Sequence, residues 1–474
     1  VNASTPTPVA ARPPYAEEPL GGSTAERLAR LPDIVEDLRG ADAAAERIRE
    51  LQYDAVRRLR RAGLLGLRVP TRYGGPGGSA REVLGVVIQI ARGSSNVAQA
   101  LRAHFGFAER LLSNRAGEAE RRQWFPLVDS GVVFGNAITD ANGKAPSSAD
   151  TTVLADAAGV LRLNGYKFYS TGTLFADVIA VSAIDAEGRD LQAIVPTDRD
   201  GVELFDDWDG FGQRMTASGG TRFTDVAVHP TEVTTVSDGA HLGHGTGFLQ
   251  LYLAAVAAGI VHAVADDSVA YVRDRARPAA HSLASTAAGD PFVLEAVGEI
   301  AADASAAEAL VLGAADGVDD LVDAGRQDDA AALADLAVRI AKAQLVAERL
   351  TLSAGATGVR HRGRLGDRAG AESRQALAQR PNPGQPQPAG IQGARNRQLR
   401  GQRDVATRQR VLLRFTEPNR LGHRVHRRPS TNGDCDDETP WGRGRAGRDR
   451  PRRRRMRQFG HHRLRIDQRR TGDQ

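Results

Sequence analysis

Apolar residues recur at helical spacing once a good capping pair, Ser23 and Thr24, has passed: Leu28, Leu31, Ile34 and Leu38 predict one helix. Ile48, Leu51, Ala55, Val56 and Leu59 share one face of a second, which should close at Gly63 and Gly66. Val69-Pro70 and a glycine-rich loop, Tyr73 to Gly78, come next, followed by helix from Ala80 to Leu112. From Val132 the period changes. Leu161 and Leu163 alternate into Asn164-Gly165, a strong hairpin signal, and the chain is expected to return through Tyr166, Phe168 and Ser170. Val178–Ala183, Leu191–Val195 and Arg222–Val228 read as further short strands, together a small antiparallel barrel or sandwich of about 100 residues. After Asp238 the helical period returns in Leu249–Arg275 and in Leu333, Leu336, Ile340, Val346 and Leu350, with an alanine-rich helix or two between them.

This order predicts an α+β chain. A disordered leader (1–22) precedes an N-terminal helical domain (23–130), a β-barrel domain (131–236) and a C-terminal helical bundle (237–358). A basic tail fills 359–474. The stretch from Gly247 to Ala265 is about the minimum length for a membrane span. Gln250, Tyr252 and His262 interrupt it and aromatic belts are missing, so a buried bundle helix is expected.

Charge sharpens the boundary at Gly358. Residues 359–474 hold 30 Arg against 11 Asp and Glu and no Lys, a surplus of 19, so the preceding part carries −14 to give the net +5. The basic character belongs to the tail alone, and a nucleic-acid function is not expected of the body. Cys435 is the single cysteine and lies in the tail, which removes disulfides, zinc clusters and a thiol nucleophile from the body and suits a cytoplasmic location. The Pro-, Ala- and Thr-rich start does not read as a signal peptide. Gly243-His-Gly245-Thr-Gly247 has no strand before it and no Lys after it, so it is a connection rather than a phosphate loop. No Rossmann fingerprint appears. His229, His241 and His244 lack carboxylates or cysteines at metal-binding spacing, and no metal is expected.

Several strings in order resemble the acyl-CoA dehydrogenase fold: Val69 to Gly77, Ala137-Ile-Thr139-Asp140, Lys167-Phe-Tyr169-Ser-Thr171-Gly172, and Gly212 to Ser218 through Phe223 to Val226. Ser95 to Gly106, Gly135-Asn136, Trp208 to Gly212 and Arg275-Ala-Arg277-Pro278 look like its flavin-dependent monooxygenases of the dibenzothiophene monooxygenase type. The resemblance implies reduced flavin, FMN with FAD as the alternative, delivered by a separate reductase. It also implies O2 and a small apolar, possibly sulfur-containing substrate, a homo-oligomer, usually a tetramer, and no membrane.

A dehydrogenase of this fold needs a carboxylate to remove the proton next to a thioester carbonyl. Aligned on Arg275, one of the two family positions for it falls at Leu249 and Gln250, neither of which is a base. The other lies in the tail without its usual context. A monooxygenase needs no such base, but must admit oxygen and exclude water. The resemblance then implies catalytic roles for His104, Asn136 and Ser218. His104 would steer or protonate the activated oxygen, since imidazole titrates near neutrality. Asn136, Thr139, Tyr169, Thr171 and Arg275 would bind flavin, with Arg275 on its phosphate, and Trp208 would line the substrate pocket. Each has a plainer structural alternative: a carbonyl-bonded helix histidine, a turn asparagine, strand packing, a core tryptophan, a solvated arginine. The runner-up activities are acyl-CoA dehydrogenation with FAD and an inactive remnant whose basic tail binds nonspecifically.

The tail itself can be read one base out of frame. Glu372 to Pro388 then permits Asn-Leu-Asp-Arg-His-Trp-Arg-Asn-Ala-Arg-Thr-Leu-Ala-Ser-His-Asn-Pro, in the manner in which that branch ends its bundle. A frameshift near Thr357 to Val359 is expected, and it would have removed the last bundle helices.

Overall fold

The computed structural model describes residues 8–9, 18–114, 116–140, 150–210, 212–236, 243–278 and 282–363, with side chains for 18–358. The basic tail beyond 363 and most of the leader lie outside the described residues.

Ser23 caps the first helix, α1 (Thr24–Leu28), in a capping box with Glu26. The next, α2 (Leu31–Ile48), stops at Arg49, whose left-handed φ of 55° breaks the period. Ile48 therefore ends α2, 72% exposed, instead of joining the next apolar face, and α3 begins only at Tyr53 (Tyr53–Arg61). The helical stretch expected over 80–112 is three helices: α4 (Ala80–Gly93), α5 (Ser95–Ala100) and α6 (Arg102–Leu111). Ser94 is extended and its hydroxyl accepts the Val97 N–H, so one residue stops α4 and caps α5. The layer ends with α7 (Glu118–Asp129).

The strands are β1 (Pro8–Val9), β2 (Phe134–Ala137), β3 (Thr139–Asp140), β4 (Thr152–Ala155), β5 (Leu161–Phe168), β6 (Val178–Ile184), β7 (Asp190–Pro196), β8 (Val202–Phe205), β9 (Thr221–Val228) and β10 (Val233–Thr235). They form one sheet in the order β1-β8-β9-β5-β4-β6-β7-β10, with β2 on β6 and β3 on β5. Two expectations fail here. The sheet is mixed and is not a closed antiparallel barrel, because β2 and β4 run parallel to β6. Asp177 sets this arrangement: its carboxylate accepts the Val133 N–H at 2.7 Å and its own N–H reaches the Val133 carbonyl at 2.9 Å, so β2 and β6 start side by side. Nor is Asn164-Gly165 a hairpin. β5 runs straight through it with a bulge against β9, since a side chain on Gly165 would collide with Thr151 and the Asn164 side chain accepts the Asp225 N–H instead of closing a turn. The β4–β5 turn sits earlier, where Asp156 accepts the N–H groups of Ala158 and Val160. In the leader, Pro8–Val9 pairs with β8 and so is not without structure.

The C-terminal helices are α8 (His244–Asp274), α9 (Pro291–Asp323) and α10 (Ala330–Gly363). By length and composition α8 is apolar enough to cross a membrane, but half of its apolar window is buried in the fold. Phe248, Leu251, Tyr252, Ala255 and Ala258 join residues of α2 to α5, the sheet, α9 and α10 in one continuous core.

A buried ion network ties these layers together. Arg68, on the loop after α3, grips Glu109 of α6 through Nε and Nη2 at 2.7 and 3.2 Å and meets Asp319 of α9 at 3.1 Å. Asp319 also accepts the first two N–H groups of α4, and His244 donates Nε2–H to Glu109 at 3.1 Å. Burial opposes the Glu109 charge, but Arg68 and His244 outweigh it and pull its pKa down to about 2. Removing Glu109 leaves the buried Arg68 guanidinium without its bidentate partner. Glu109→Ala should lower the unfolding free energy by about 3–5 kcal/mol, read by urea unfolding at pH 7. A loss below about 1 kcal/mol would show that the network contributes nothing.

Candidate active site

The end of β5 makes a sharp turn that the backbone alone locks in place. Tyr169 takes a left-handed φ of 54°, Gly172 one of 80°, and Ala217 across from them 49°. Left-handed non-glycine residues are strained, and such strain gathers at functional sites. The Ser170 N–H bonds the Gly219 carbonyl at 3.0 Å, and the Gly172 N–H reaches the carbonyls of Thr216 and Ala217, each at 3.1 Å. A side chain on Gly172 would collide with the Ala100 carbonyl at the end of α5, so this position needs both the angle and the space of glycine. From the other side α5 holds the 213–219 segment: Asn96 Oδ1 accepts the Met215 N–H at 3.0 Å, and Gln213 Nε2 donates to the Ser95 carbonyl at 2.8 Å.

A partly apolar, partly polar face results. Thr139 pairs with Phe168 across β3 and β5, and Ile138, Phe168 and Tyr169 are 52%, 38% and 49% exposed, which is unusual for three large apolar residues in one place. The Tyr169 ring meets Trp208 edge-on at 5.8 Å. Trp208 is held by its Nε1 donating to the Gln213 carbonyl and by Arg49 donating to its own carbonyl, both at 3.0 Å. Thr171 Oγ1 lies 2.9 Å from Ser218 Oγ, behind it. Beneath the face, fully buried Lys167 bonds Asp140 at 2.8 Å and the Ile138 carbonyl at 3.2 Å, fixing the step between β2 and β3 that turns Ile138 and Thr139 outward together.

Thr139, Tyr169, Thr171, Trp208 and Ser218 are thus brought together. Asn136 is half-buried on β2, next to Gly135, which packs on Thr173 at the far end of the turn. His104 is fully buried. Its Nδ1 accepts the Phe134 N–H at 3.3 Å, which leaves the proton on Nε2 to donate to the Leu65 carbonyl at 3.0 Å. Desolvation drives its pKa down to about 4, so it is neutral at pH 7 and anchors the start of β2. Arg275 is exposed at the C-cap of α8 and stands apart, about 39 Å along the helix axis from Leu249 at 1.5 Å per residue.

Other participants escaped the sequence reading. Arg102, the first residue of α6, donates Nε to the Leu249 carbonyl at 3.2 Å; burial holds its pKa below the usual arginine range, and among the described residues no carboxylate pairs with it. An arginine on a helix ordinarily reads as solvated, so nothing marked it. From His244 to Ala265, α8 contains no carboxylate. His244, set aside for want of a carboxylate near in sequence, meets one 135 residues away.

Residues 34–131 match the family described as acyl-CoA dehydrogenase, N-terminal domain. A dibenzothiophene monooxygenase of Mycolicibacterium goodii is 32% identical over 54% of this chain, a match spanning 65% of that protein, less than two thirds of its length. One from Rhodococcus qingshengii is 30% identical over 58% of this chain and 68% of its own. Among solved structures, FMN-bound TdsC from Paenibacillus sp. A11-2 superposes with a TM-score of 0.65 at 27% identity, covering 74% of this chain and 89% of that one.

The neutral His104 has a measurable consequence. Below pH 6.5 the unfolded chain takes up a proton there and the folded one does not until about 4, so stability present at neutral pH is lost as pH falls through that window. At pH 4.5 the unfolding free energy should have dropped from its pH 7 value by about 2–3 kcal/mol more in the wild type than in His104→Gln. Equal drops in urea titrations would contradict a neutral, desolvated ring.

Proposed function

The chain belongs to the acyl-CoA dehydrogenase-fold family of dibenzothiophene monooxygenase-type flavoproteins, and on that footing we propose that it is a two-component flavin-dependent monooxygenase. It takes reduced FMN from a separate reductase, uses O2, and oxygenates a small apolar, sulfur-containing substrate. The observations that carry this reading are the exposed face of Ile138, Thr139, Phe168, Tyr169 and Thr171 and an α8 that has no carboxylate from His244 to Ala265.

The face suits a flavin ring: apolar side chains for its plane, hydroxyls for its polar edge. When bound, FMN supplies the two electrons and the site at which O2 is activated. The chain does the rest. Thr139 and Thr171 would hold the ring's edge, Tyr169 and Trp208 would shield it from water, and Asn136 would offer an amide from the far end of the turn. Arg102, at the start of α6 and bonded to the Leu249 carbonyl of α8, would supply a positive charge to favour negative charge on oxygen. His104 and Ser218 act behind these groups. Leu249 and Gln250, at the family's base position on the first bundle helix, cannot remove a proton, which favours this reading over acyl-CoA dehydrogenation. With no Rossmann fingerprint for nicotinamide, reduction falls to a partner.

Three finer statements belong to the same reading. The enzyme is a cytoplasmic homo-oligomer, in which Arg275 meets the flavin phosphate of a second copy, being out of reach of its own turn. The domains divide at 22/23, 130/131, 236/237 and 358/359. The tail is read out of frame; Leu345 and Leu352, one stripe of α10 at seven-residue spacing and 61% and 65% exposed, are the apolar partners that a lost helix would cover.

With photoreduced FMN and 18O2, an aryl sulfide should gain one 18O atom, and octanoyl-CoA should leave bound oxidised flavin unbleached. Bleaching by octanoyl-CoA without oxygen transfer would overturn the proposal. Nucleotide sequence across codon 358 should show a one-base shift that restores the bundle; an intact frame together with tail peptides in the purified protein would refute that part.

A further inference from the structure

Three hydroxyls run inward from the proposed flavin face in a line. Thr171, partly exposed, is 2.9 Å from Ser218, and Ser218 is 2.8 Å from Thr216; the last two are 7% and 2% exposed. Each end has a backbone carbonyl: Gln213 O lies 3.3 Å from Thr216 Oγ1, and Tyr169 O lies 3.4 Å from Thr171 Oγ1. Four links compete for three protons. One link must stay empty, and it cannot be an inner one, since two oxygens below 3 Å with no proton between them repel. The empty link is therefore a terminal one, and the two terminal links are nearly equal in length. The whole line has two proton orders of similar energy. In one, every hydroxyl donates inward toward Gln213 and Thr171 turns only lone pairs outward. In the other, every hydroxyl donates outward and Thr171 offers its proton.

A flavin ring carries an unprotonated nitrogen acceptor when oxidised and an N–H donor in the same place when reduced. Resting on the flavin reading above, the geometry points to the Thr171–Ser218–Thr216 line as a reversible relay that matches Thr171 to the oxidation state of the bound flavin. Its inward order lets Thr171 accept from the reduced ring while its own proton stays bonded to Ser218. Thr171 is the contacting group; Ser218 and Thr216 are positioning residues that act through it.

The two states depend on the relay unequally. Without Ser218, Thr171 still donates to an oxidised ring, but on accepting from a reduced one its proton has only the long 3.4 Å approach to Tyr169 O. A stranded donor costs more than a spare lone pair. Without Thr216, the Ser218 proton is stranded in the same state. Breaking the line should therefore weaken reduced FMN selectively.

The test measures dissociation constants of oxidised and photoreduced FMN, anaerobically, for the full chain, and the midpoint potential of the bound flavin. Ser218→Ala and the isosteric Thr216→Val should each weaken reduced FMN about tenfold relative to oxidised, lowering the potential by about 30 mV for this two-electron couple. Thr216→Ser, which keeps the hydroxyl, should retain the wild-type ratio. Equal weakening of both forms in Ser218→Ala and Thr216→Val, or an unchanged ratio, would overturn the relay while leaving the flavin site standing. Wild-type protein that binds neither form would overturn the flavin reading and the relay with it.

Discussion

The close approach of Gly172 to the Ala100 carbonyl is the constraint on which the candidate site rests. It needs a left-handed backbone and no side chain at one residue, and it fixes where the end of β5 meets the end of α5. The polar groups around Thr171 follow from that contact. The Gly172 N–H takes up the carbonyls of Thr216 and Ala217, which brings Ser218 behind Thr171, while Asn96 and Gln213 bind the same segment to α5. Backbone hydrogen bonds, helped by the Asn96, Gln213 and Lys167 side chains, set the position of the candidate face before any ligand arrives.

Around this junction the fold keeps costly groups buried in defined pairs. Lys167 with Asp140, and Arg68 with Glu109, Asp319 and His244, sit where strands or layers change partners. A buried ion pair is seldom the most stable filling for such a space. Here each one answers backbone groups that regular structure leaves open: the Ile138 carbonyl at the β2–β3 step, the Gly78 carbonyl beside Arg68, and the first N–H groups of α4. His104 does the same with a neutral ring, joining Leu65 to Phe134.

The helices were legible because their signal is local. Periodicity located the long elements of the C-terminal part, and Ser23 announced its cap correctly. Strand positions also came through, but their pairing did not. The parallel start of β2 and β6 depends on Asp177 finding Val133, 44 residues apart, and no pattern within a strand encodes that. Asn164-Gly165 misled because the same two residues serve a bulge as well as a turn, and Thr151 and Asp225, which decide between them, are remote in sequence. Within the site, Thr139, Tyr169, Thr171, Trp208 and Ser218 could be named from strings that resemble a family. What Ser218 and Thr216 do for Thr171, and the bare charge of Arg102, are relations between elements and appear only in three dimensions.

The central claim is that a flavin ring lies on the face of Ile138, Thr139, Phe168, Tyr169 and Thr171, with no carboxylate against its other side. A crystal structure of the protein soaked with FMN tests it most directly. The ring should cover Phe168 and Tyr169 with its nitrogen edge at Thr171, and Arg102 rather than an acid should stand near the open side. Density for FMN elsewhere, or an Asp or Glu lying against the substrate-facing side of the ring, would contradict the account.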